Sequence, residues 1–294
     1  MASAVYAIRD DRAFIRASGA ETQDFLQGLL SQDVLKVTET RAAYGALLTP
    51  QGKFLHDLFL TLDGDGVVLE CEADRADDLL MRLKRYRLRA KIDLDLLGGW
   101  TAAVLWGGDP LGLGDIAGEA KKIASATAYV DPRTAKLGYR ISGGTIDVKE
   151  ILKEFSPSNL SDYAVRRIAL GVPEGSSDIV VNKGFLLESG FDELNGVDWE
   201  KGCYVGQELT ARTRYRGLVK RRLMPVRIEG DAPEAGEALA FNGKNAGEMR
   251  GNAGDIGLAL VRLDAWRAAR DTGAPLEAGD ARLWPEKPEW ARFE

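Results

Sequence analysis

The sequence predicts an α+β protein that ends in a small all-β domain. In the first 170 residues, segments of alternating apolar and polar residues, typical of strands, are interrupted by segments with helical periodicity. Strands that come in runs, with helices between the runs, favour sheets that carry helices on one side. After Gly217, short alternating segments are separated by turns rich in Gly, Asn and Asp, as in a small barrel. We therefore expect a core over residues 1–215 and a β-barrel domain over residues 216–294.

The sequence of the first part of the core predicts strands and two helices. Residues 4–17 alternate as one or two short strands, and Ser18 has the spacing to Glu21 that begins a helix with a capping box. Residues 44–73 predict a β-meander with turns of Pro, Gly and Asp. A helix over residues 74–87 carries acids in its first turn and bases in its last, as the helix dipole favours.

The second part of the core predicts another β-rich block and two more helices. Residues 100–106 form a short strand, and residues 127–142 predict a strand, a turn and a strand. Helices are expected over 147–155 and, after a serine cap, over about 160–170. Residues 173–200 show little regular pattern, and a long irregular connection in a compact protein is usually functional.

Composition excludes several classes of protein. The 294 residues carry a net charge of −6, with 45% hydrophobic and 29% charged residues, which is ordinary for a soluble globular protein. No apolar run approaches the about 18 residues that cross a bilayer, and the N-terminus lacks the pattern of a secretory signal. Cys71 and Cys203 are too few for a disulfide framework, so we expect a reducing cytoplasm. With one histidine, His56, and no CxxC or HExxH pattern, we expect no metal site.

Two segments concentrate positive charge on this acidic chain. Arg82–Lys91 and Arg212–Arg222 each hold six basic residues and no acid. They predict either local positive patches or solvated ends of a helix and a strand. A nucleic-acid-binding module is one hypothesis, and its affinity would fall steeply with salt. The negative net charge argues against a general polyanion binder, so we expect no direct binding to DNA, tRNA or a membrane.

The stretch Lys201–Arg216, KGCYVGQELTARTRYR, is the strongest candidate for a site. Cys203 stands between two glycines, which permit a tight turn, and among basic residues, which lower the pKa of a thiol. One interpretation is a reactive or ligand-contacting cysteine in a site that favours anions. The other is a turn with a buried, inert cysteine, because free cysteine is often buried. The strand over residues 53–60 offers a second candidate, because His56 and Asp57 interrupt its apolar residues. This polar pair is either an exposed alternating face or a site, in which Asp57 would line a ligand pocket.

The motif KGCYVGQE, with ARTRYRG and VKRRL after it, resembles the signature of the YgfZ family. The similarity covers nearly the whole chain, because further motifs follow in the same order: FLQGL near residue 26, LTPQGK from Leu48 to Asp57, the arginine motifs around Tyr86 and Asp131, and GLALVR at Gly257–Arg262. YgfZ proteins bind folate and support iron–sulfur cluster assembly and repair, including that of iron–sulfur enzymes that modify tRNA. They are related in structure to the T-protein of the glycine cleavage system, an aminomethyltransferase.

This resemblance implies a T-protein-like, folate-binding fold of two interleaved ferredoxin-like units followed by the β-barrel. It implies tetrahydrofolate, or a one-carbon or polyglutamylated derivative, as the cofactor, in an apolar pocket with aromatic lining. Glu188 would accept hydrogen bonds from the pterin, with Glu174 as an alternative. Cys203 would lie at the mouth of the pocket as the catalytic candidate, and the basic segments would hold the glutamate tail. The remaining binding residues that the motif implies are Lys201, Gly202, Tyr204, Gly206, Gln207, Glu208 and Arg212.

Two functions from different classes follow. The first is an accessory factor that binds tetrahydrofolate and has iron–sulfur client or assembly proteins as partners. A single cysteine cannot hold a four-cysteine cluster, so a cluster would need a partner protein or a second copy of the chain. The alternative is a folate-dependent aminomethyl- or methyltransferase. It needs a general base, for which the T-protein resemblance offers Asp78 or Asp77, although both also suit the first turn of a helix.

Overall fold

The computed structural model describes residues 4–294, and its contacts divide the chain into two compact units. Within the described residues, the first unit comprises residues 4–48, His56–Tyr163 and Asn195–Val205, and the second comprises Thr49–Leu55, Ala164–Leu194 and Gly206–Glu294. The interpretation of the N-terminus as lacking a secretory signal includes residues 1–3, which lie outside the described residues.

The described residues form strands and helices along the whole chain. The strands are Val5–Arg9 (β1), Arg12–Ser18 (β2), Ala43–Leu48 (β3), Phe54–Asp63 (β4), Gly66–Glu72 (β5), Asp93–Leu96 (β6), Trp100–Trp106 (β7), Ala120–Ile123 (β8), Ala126–Val130 (β9), Tyr139–Gly144 (β10), Ser156–Pro157 (β11), Arg221–Glu229 (β12), Ala238–Phe241 (β13), Lys244–Ala253 (β14), Ile256–Arg262 (β15), Leu276–Ala278 (β16) and Ala281–Pro285 (β17). The α-helices are Thr22–Gln27 (α1), Ala76–Arg87 (α2), Thr145–Leu152 (α3), Leu160–Ala169 (α4), Gly175–Asp178 (α5), Gln207–Tyr215 (α6) and Leu263–Thr272 (α7). Short 3₁₀ helices are Val34–Lys36, Ala73–Arg75, Ala135–Leu137 and Leu186–Ser189.

The first unit contains two sheets. One has the strand order β11-β1-β7-β10-β9-β8, and the other has the order β3-β4-β5-β2-β6. Antiparallel pairing dominates both sheets, for example between β2 and β5 and between β7 and β10. Helix α2 buries Ala76, Leu79 and Leu83 and exposes its opposite face, as its apolar spacing predicts.

The second unit contains a closed barrel with the strand order β12-β15-β14-β13-β16-β17. Its strands all lie in the segment predicted to be all-β. That segment also holds α7, which the sequence analysis missed. The signal was present, because Leu263, Trp266 and Ala269 recur at helical spacing, and all three are buried in the barrel's core.

The predicted helix start at Ser18 is wrong. Ser18 ends β2, where it pairs with Asp93 of β6. Gly19 then takes a φ of +112°, with its Cα hydrogens facing the carbonyl of Lys91, and the helix begins at Thr22 without a side-chain cap. A glycine at positive φ therefore ends the strand before the capping pattern can act. Among residues 4–294, no helix is both long enough and apolar enough to cross a membrane.

Candidate functional site

The loop that carries Cys203 is anchored by Lys201. The Lys201 ammonium donates to three backbone carbonyls at and just beyond the end of α1: those of Gln27 at 2.9 Å, Leu30 at 2.6 Å and Gln32 at 2.8 Å. Carbonyls at the end of a helix lack partners within the helix, and a cation satisfies them well. Lys201 is itself buried, so its charge is used inside the protein.

Acidic residues help to hold this lysine. Asp198 accepts the backbone N–H of Lys201 at 3.2 Å and pairs with the Lys36 ammonium at 2.5 Å. Burial lowers the pKa of the Lys201 ammonium to about 8, while the charges of Asp33 and Asp198 oppose that shift. Lys201 is therefore mostly charged below about pH 8, where all three of its donors are in use.

The same loop is held again just after the cysteine. Tyr204 is buried, with its ring centre 5.2 Å from the Lys201 nitrogen, and the N–H of Val205 donates to the carbonyl of Gly28 at 3.1 Å. Between these anchors, Cys203 is exposed, and a Cβ on Gly202 would meet no atom within 4 Å. The loop thus presents its thiol to solvent on a short segment fixed at both ends.

The two cysteines have opposite environments. Cys203 is exposed, whereas Cys71 on β5 is completely buried. Burial raises the pKa of the Cys71 thiol to about 12. One interpretation of Cys203 was a buried, inert cysteine. That description fits Cys71 and not Cys203.

The second half of the motif begins helix α6. Gly206 precedes the helix with a φ of +85°, a conformation that suits glycine. Gln207 is half-buried, while Glu208 and Arg212 form an exposed ion pair at 2.5 Å, one helical turn apart. Such a pair contributes little to stability and leaves both charges accessible to a ligand.

The turn of the LTPQGK motif packs against this helix start. Gly52 has a φ of +68°, and a Cβ there would lie 3.0 Å from the carbonyl oxygen of Gly206 and 3.1 Å from the Cβ of Leu209. Both motifs quoted for the family resemblance thus meet at the beginning of α6.

Glu188 lies at a pocket of about 350 Å³ in the second unit. Its carboxylate is buried and accepts two parallel hydrogen bonds from the Arg221 guanidinium, at 3.0 and 3.1 Å. The pocket is lined by Glu188, Leu218, Lys220, Arg221, Asn245, Gly247, Glu248, Leu260 and Arg262. This lining is mostly polar and contains no aromatic residue, in contrast to the apolar, aromatic pocket that we expected for a pterin.

The pairing of Glu188 with Arg221 nevertheless indicates which donors this carboxylate can accept. Arg221 offers two parallel N–H groups, and Glu188 receives both, one on each oxygen. An aminopyrimidine edge offers a similar pair of N–H donors, so the acceptor fits a pterin by its chemistry. The partner, Arg221, was not predicted, because a separation of 33 residues leaves no local signal.

A second pocket adjoins the first. It has a volume of about 470 Å³ and shares Asn245 and Arg262 with the pocket at Glu188. Phe241, Ala265 and Ala268 give it a more apolar lining. The pocket at Glu188 is thus the more polar of the two, and Asn245 and Arg262 line both.

Asp57 lies in a buried polar network of the first unit. It is 1% exposed and accepts the Tyr44 hydroxyl at 3.0 Å. Nearby, Glu70 accepts hydrogen bonds from Arg12 at 3.1 Å and from Arg140. Burial by itself would raise the pKa of Glu70, but these two guanidinium groups outweigh that effect and lower the pKa. The predicted pocket role of Asp57 stays a prediction, and its observed contact is internal.

Asp78, the base that the transferase alternative requires, is held by two other side chains. Its Oδ2 contacts the His56 Nε2 at 2.9 Å and the Arg82 Nε at 2.8 Å. Partial burial by itself would raise the pKa of Asp78, but these hydrogen bonds lower it. A carboxylate of low pKa that is already paired is a poor general base. Among residues 4–294, no group of three or more His, Cys, Asp or Glu side chains could hold a metal ion.

Comparison with known proteins identifies the family. A model of the C-terminal β-barrel domain of CAF17 matches residues 220–293. The mitochondrial iron–sulfur cluster assembly factor IBA57 homolog of Pyricularia oryzae is 33% identical over 297 residues, covering 92% of this chain and 75% of that protein. The mitochondrial IBA57 of Homo sapiens is 31% identical, covering 96% of this chain and 83% of its own length. The chain belongs to the IBA57 family of iron–sulfur cluster assembly factors.

The fold of this IBA57-family chain matches that of a T-protein. The glycine cleavage system aminomethyltransferase T of Bartonella henselae aligns with a TM-score of 0.79 over 99% of this chain and 87% of that one. At 16% identity this likeness shows the fold alone, and it confirms the predicted α+β, T-protein-like fold with its terminal barrel. The similarity to YgfZ proteins in particular remains a prediction.

The expected cytoplasmic location is wrong. It was inferred from the scarcity of cysteines, whereas the IBA57 relatives of Pyricularia oryzae, mouse and human are all named as mitochondrial proteins. A low cysteine count indicates a reducing compartment but does not distinguish one such compartment from another.

Proposed function

We propose that this chain is an iron–sulfur cluster assembly factor that binds tetrahydrofolate. The thiol of Cys203 contacts the iron or sulfur of its protein partners. The observation that carries the proposal is the exposed Cys203 on a loop anchored by Lys201 and Val205. A thiol must project from the surface before the iron or sulfur of another protein can reach it. Membership in a family named for cluster assembly supplies the chemical context.

Cys203 can provide one thiolate ligand. Iron–sulfur clusters are held by about four such ligands, so the others must come from a partner protein or from a second copy of the chain. The chain would then share a cluster during transfer rather than store one. The partners are iron–sulfur client or assembly proteins, including those that modify tRNA.

The folate part of the proposal is supported by Glu188. The pterin would take the two acceptor oxygens now used by Arg221, so this side chain must move aside when folate binds. Lys220 and Arg262, which line the same pocket, suit the carboxylates of a polyglutamate tail. Bound tetrahydrofolate would accept a one-carbon unit, and a one-carbon derivative would supply one.

Calorimetric titration with tetrahydrofolate tests this site. We expect wild type and Cys203→Ala to bind with equal affinity, while Glu188→Gln binds about tenfold or more weakly, because the amide replaces one acceptor with a donor. Absence of binding by the wild type would remove folate from the proposal. The role of the thiol would be unaffected, because a separate experiment measures it.

That experiment is complementation of cells that lack their own assembly factor of this family. Wild type should restore the activity of iron–sulfur enzymes, and Cys203→Ala should fail although its cellular level is normal. Cys71→Ala is the matched control, since it also removes one thiol, and it should restore activity. Restoration by Cys203→Ala would show that the thiol is not needed.

A further inference from the structure

The end of α2 and the turn after it form an exposed basic surface with apolar side chains in it. Lys84, Arg85, Arg87, Arg89 and Lys91 are all exposed, and within residues 4–294 none of them has an ion-pair partner. The sequence analysis assigned this segment to a folate tail or to a solvated helix end. Neither assignment explains the apolar side chains that lie among the charges.

Three large apolar side chains are exposed in this surface. Met81 is 50% exposed, Tyr86 is 37% exposed and Leu88 is 87% exposed. Met81, Lys84 and Arg85 follow one another on α2 at i, i+3 and i+4, and Leu88 directly follows the last residue of the helix. Since Leu79 and Leu83 point into the core, this stripe is the solvent-facing side of α2.

Leu88 is also held in a backbone conformation that costs free energy. Its φ of 46° and ψ of −102° correspond to a turn position where glycine is normal. For leucine this conformation costs on the order of 1–3 kcal/mol, and strain of this kind concentrates at functional sites. Here the strain projects a fully apolar side chain into solvent, where it contributes nothing to the core.

We propose that residues 81–91 dock an acidic polypeptide surface that carries exposed apolar residues. The five unpaired cations supply charge complementarity, and Met81 and Leu88 supply apolar contacts that a glutamate tail or a phosphate backbone would leave unused. The adjoining edge strand β6 exposes Asp93 and Asp95, which would repel a nucleic acid or an anionic lipid surface. A protein partner can place bases opposite those two acids.

This surface and the Cys203 loop contact opposite ends of the same helix. The backbone N–H of Lys91 donates to the Glu21 carboxylate at 2.7 Å, and Glu21 precedes α1. The Cys203 loop is fixed to the carbonyl of Gly28, which follows α1. The six residues of α1 span about 9 Å, so a partner docked on residues 81–91 lies within reach of the exposed thiol.

Fluorescence anisotropy with two labelled peptides tests the proposal. The peptides have equal numbers of glutamates, separated by leucines in one and by serines in the other. We expect the wild type to bind the leucine peptide more tightly than the serine peptide. The double variant Lys84→Glu and Arg85→Glu should raise the Kd for the leucine peptide about tenfold, equivalent to ~1.4 kcal/mol. Met81→Ser with Leu88→Ser should remove the preference for leucine.

Matched controls separate this surface from general charge effects. Lys149→Glu on α3, combined with Lys153→Glu directly after that helix, changes the net charge equally and should leave both Kd values within about twofold. Failure of the wild type to bind either peptide, or equal weakening by the α3 control, would overturn the proposal. Tighter binding of a single-stranded RNA or of phosphatidylserine vesicles, lost in the Lys84 and Arg85 variant, would assign the surface to that ligand instead.

Discussion

The contrast between the two cysteines can be measured directly by thiol modification. Cys203 is exposed, whereas Cys71 is buried and the pKa of its thiol is raised to about 12. Near pH 8, a thiol of pKa about 12 is ~0.01% thiolate, while an ordinary thiol of pKa about 8.5 is roughly a quarter thiolate. The thiolate is the reactive form, so Cys71 should react about a thousandfold or more slowly than an ordinary exposed thiol, before its burial is counted.

The assay is the reaction of the native protein with a chromogenic disulfide at pH 8. We expect one thiol per chain to react at once, and a second only after guanidinium unfolds the protein. Cys203→Ala should show no fast thiol in the native state and one after unfolding. Because Cys203 is exposed, its replacement should change the free energy of unfolding by less than about 0.5 kcal/mol.

Two results would refute this reasoning. A fast thiol that persists in native Cys203→Ala would mean that Cys71 is accessible. A loss of more than about 2 kcal/mol in Cys203→Ala would mean that the side chain is packed rather than presented to solvent.

The remaining predictions concern stability. Burial lowers the pKa of His56 to about 4, so between about pH 6.5 and 4 the unfolded chain binds a proton that the folded chain does not. Over that interval the wild type should lose up to about 3 kcal/mol more than His56→Gln in urea unfolding, and parallel curves would contradict this assignment. Gly52→Ala should lower the free energy of unfolding by about 1–3 kcal/mol, because of its positive φ and the carbonyl of Gly206 at 3.0 Å. An unchanged urea midpoint would mean that this turn relaxes freely. Leu88→Gly should raise the free energy of unfolding by about 1 kcal/mol, since glycine accepts the backbone angles of Leu88. The same variant should bind the leucine peptide more weakly, because it lacks the apolar side chain. A destabilised variant would show that Leu88 is not strained.

Local patterns determined much of the fold before any contact was known. The apolar spacing of residues 76–87 predicted α2, and alternation with Gly and Asp turns predicted the meander of β3, β4 and β5. These patterns depend on neighbours a few residues away, so they can be found in the sequence alone. The KGCYVGQE motif identified the loop of Cys203 for the same reason, since all of its residues are contiguous.

The roles of individual side chains depended on contacts far apart in the chain. Lys201 looked like a cation for a ligand, but it binds carbonyls of residues more than 160 positions earlier. Glu188 looked like a free acceptor, but it is paired with Arg221. A charge in the sequence indicates what a side chain can bind. Which partner it does bind depends on which elements fold against it, and only the tertiary structure decides that.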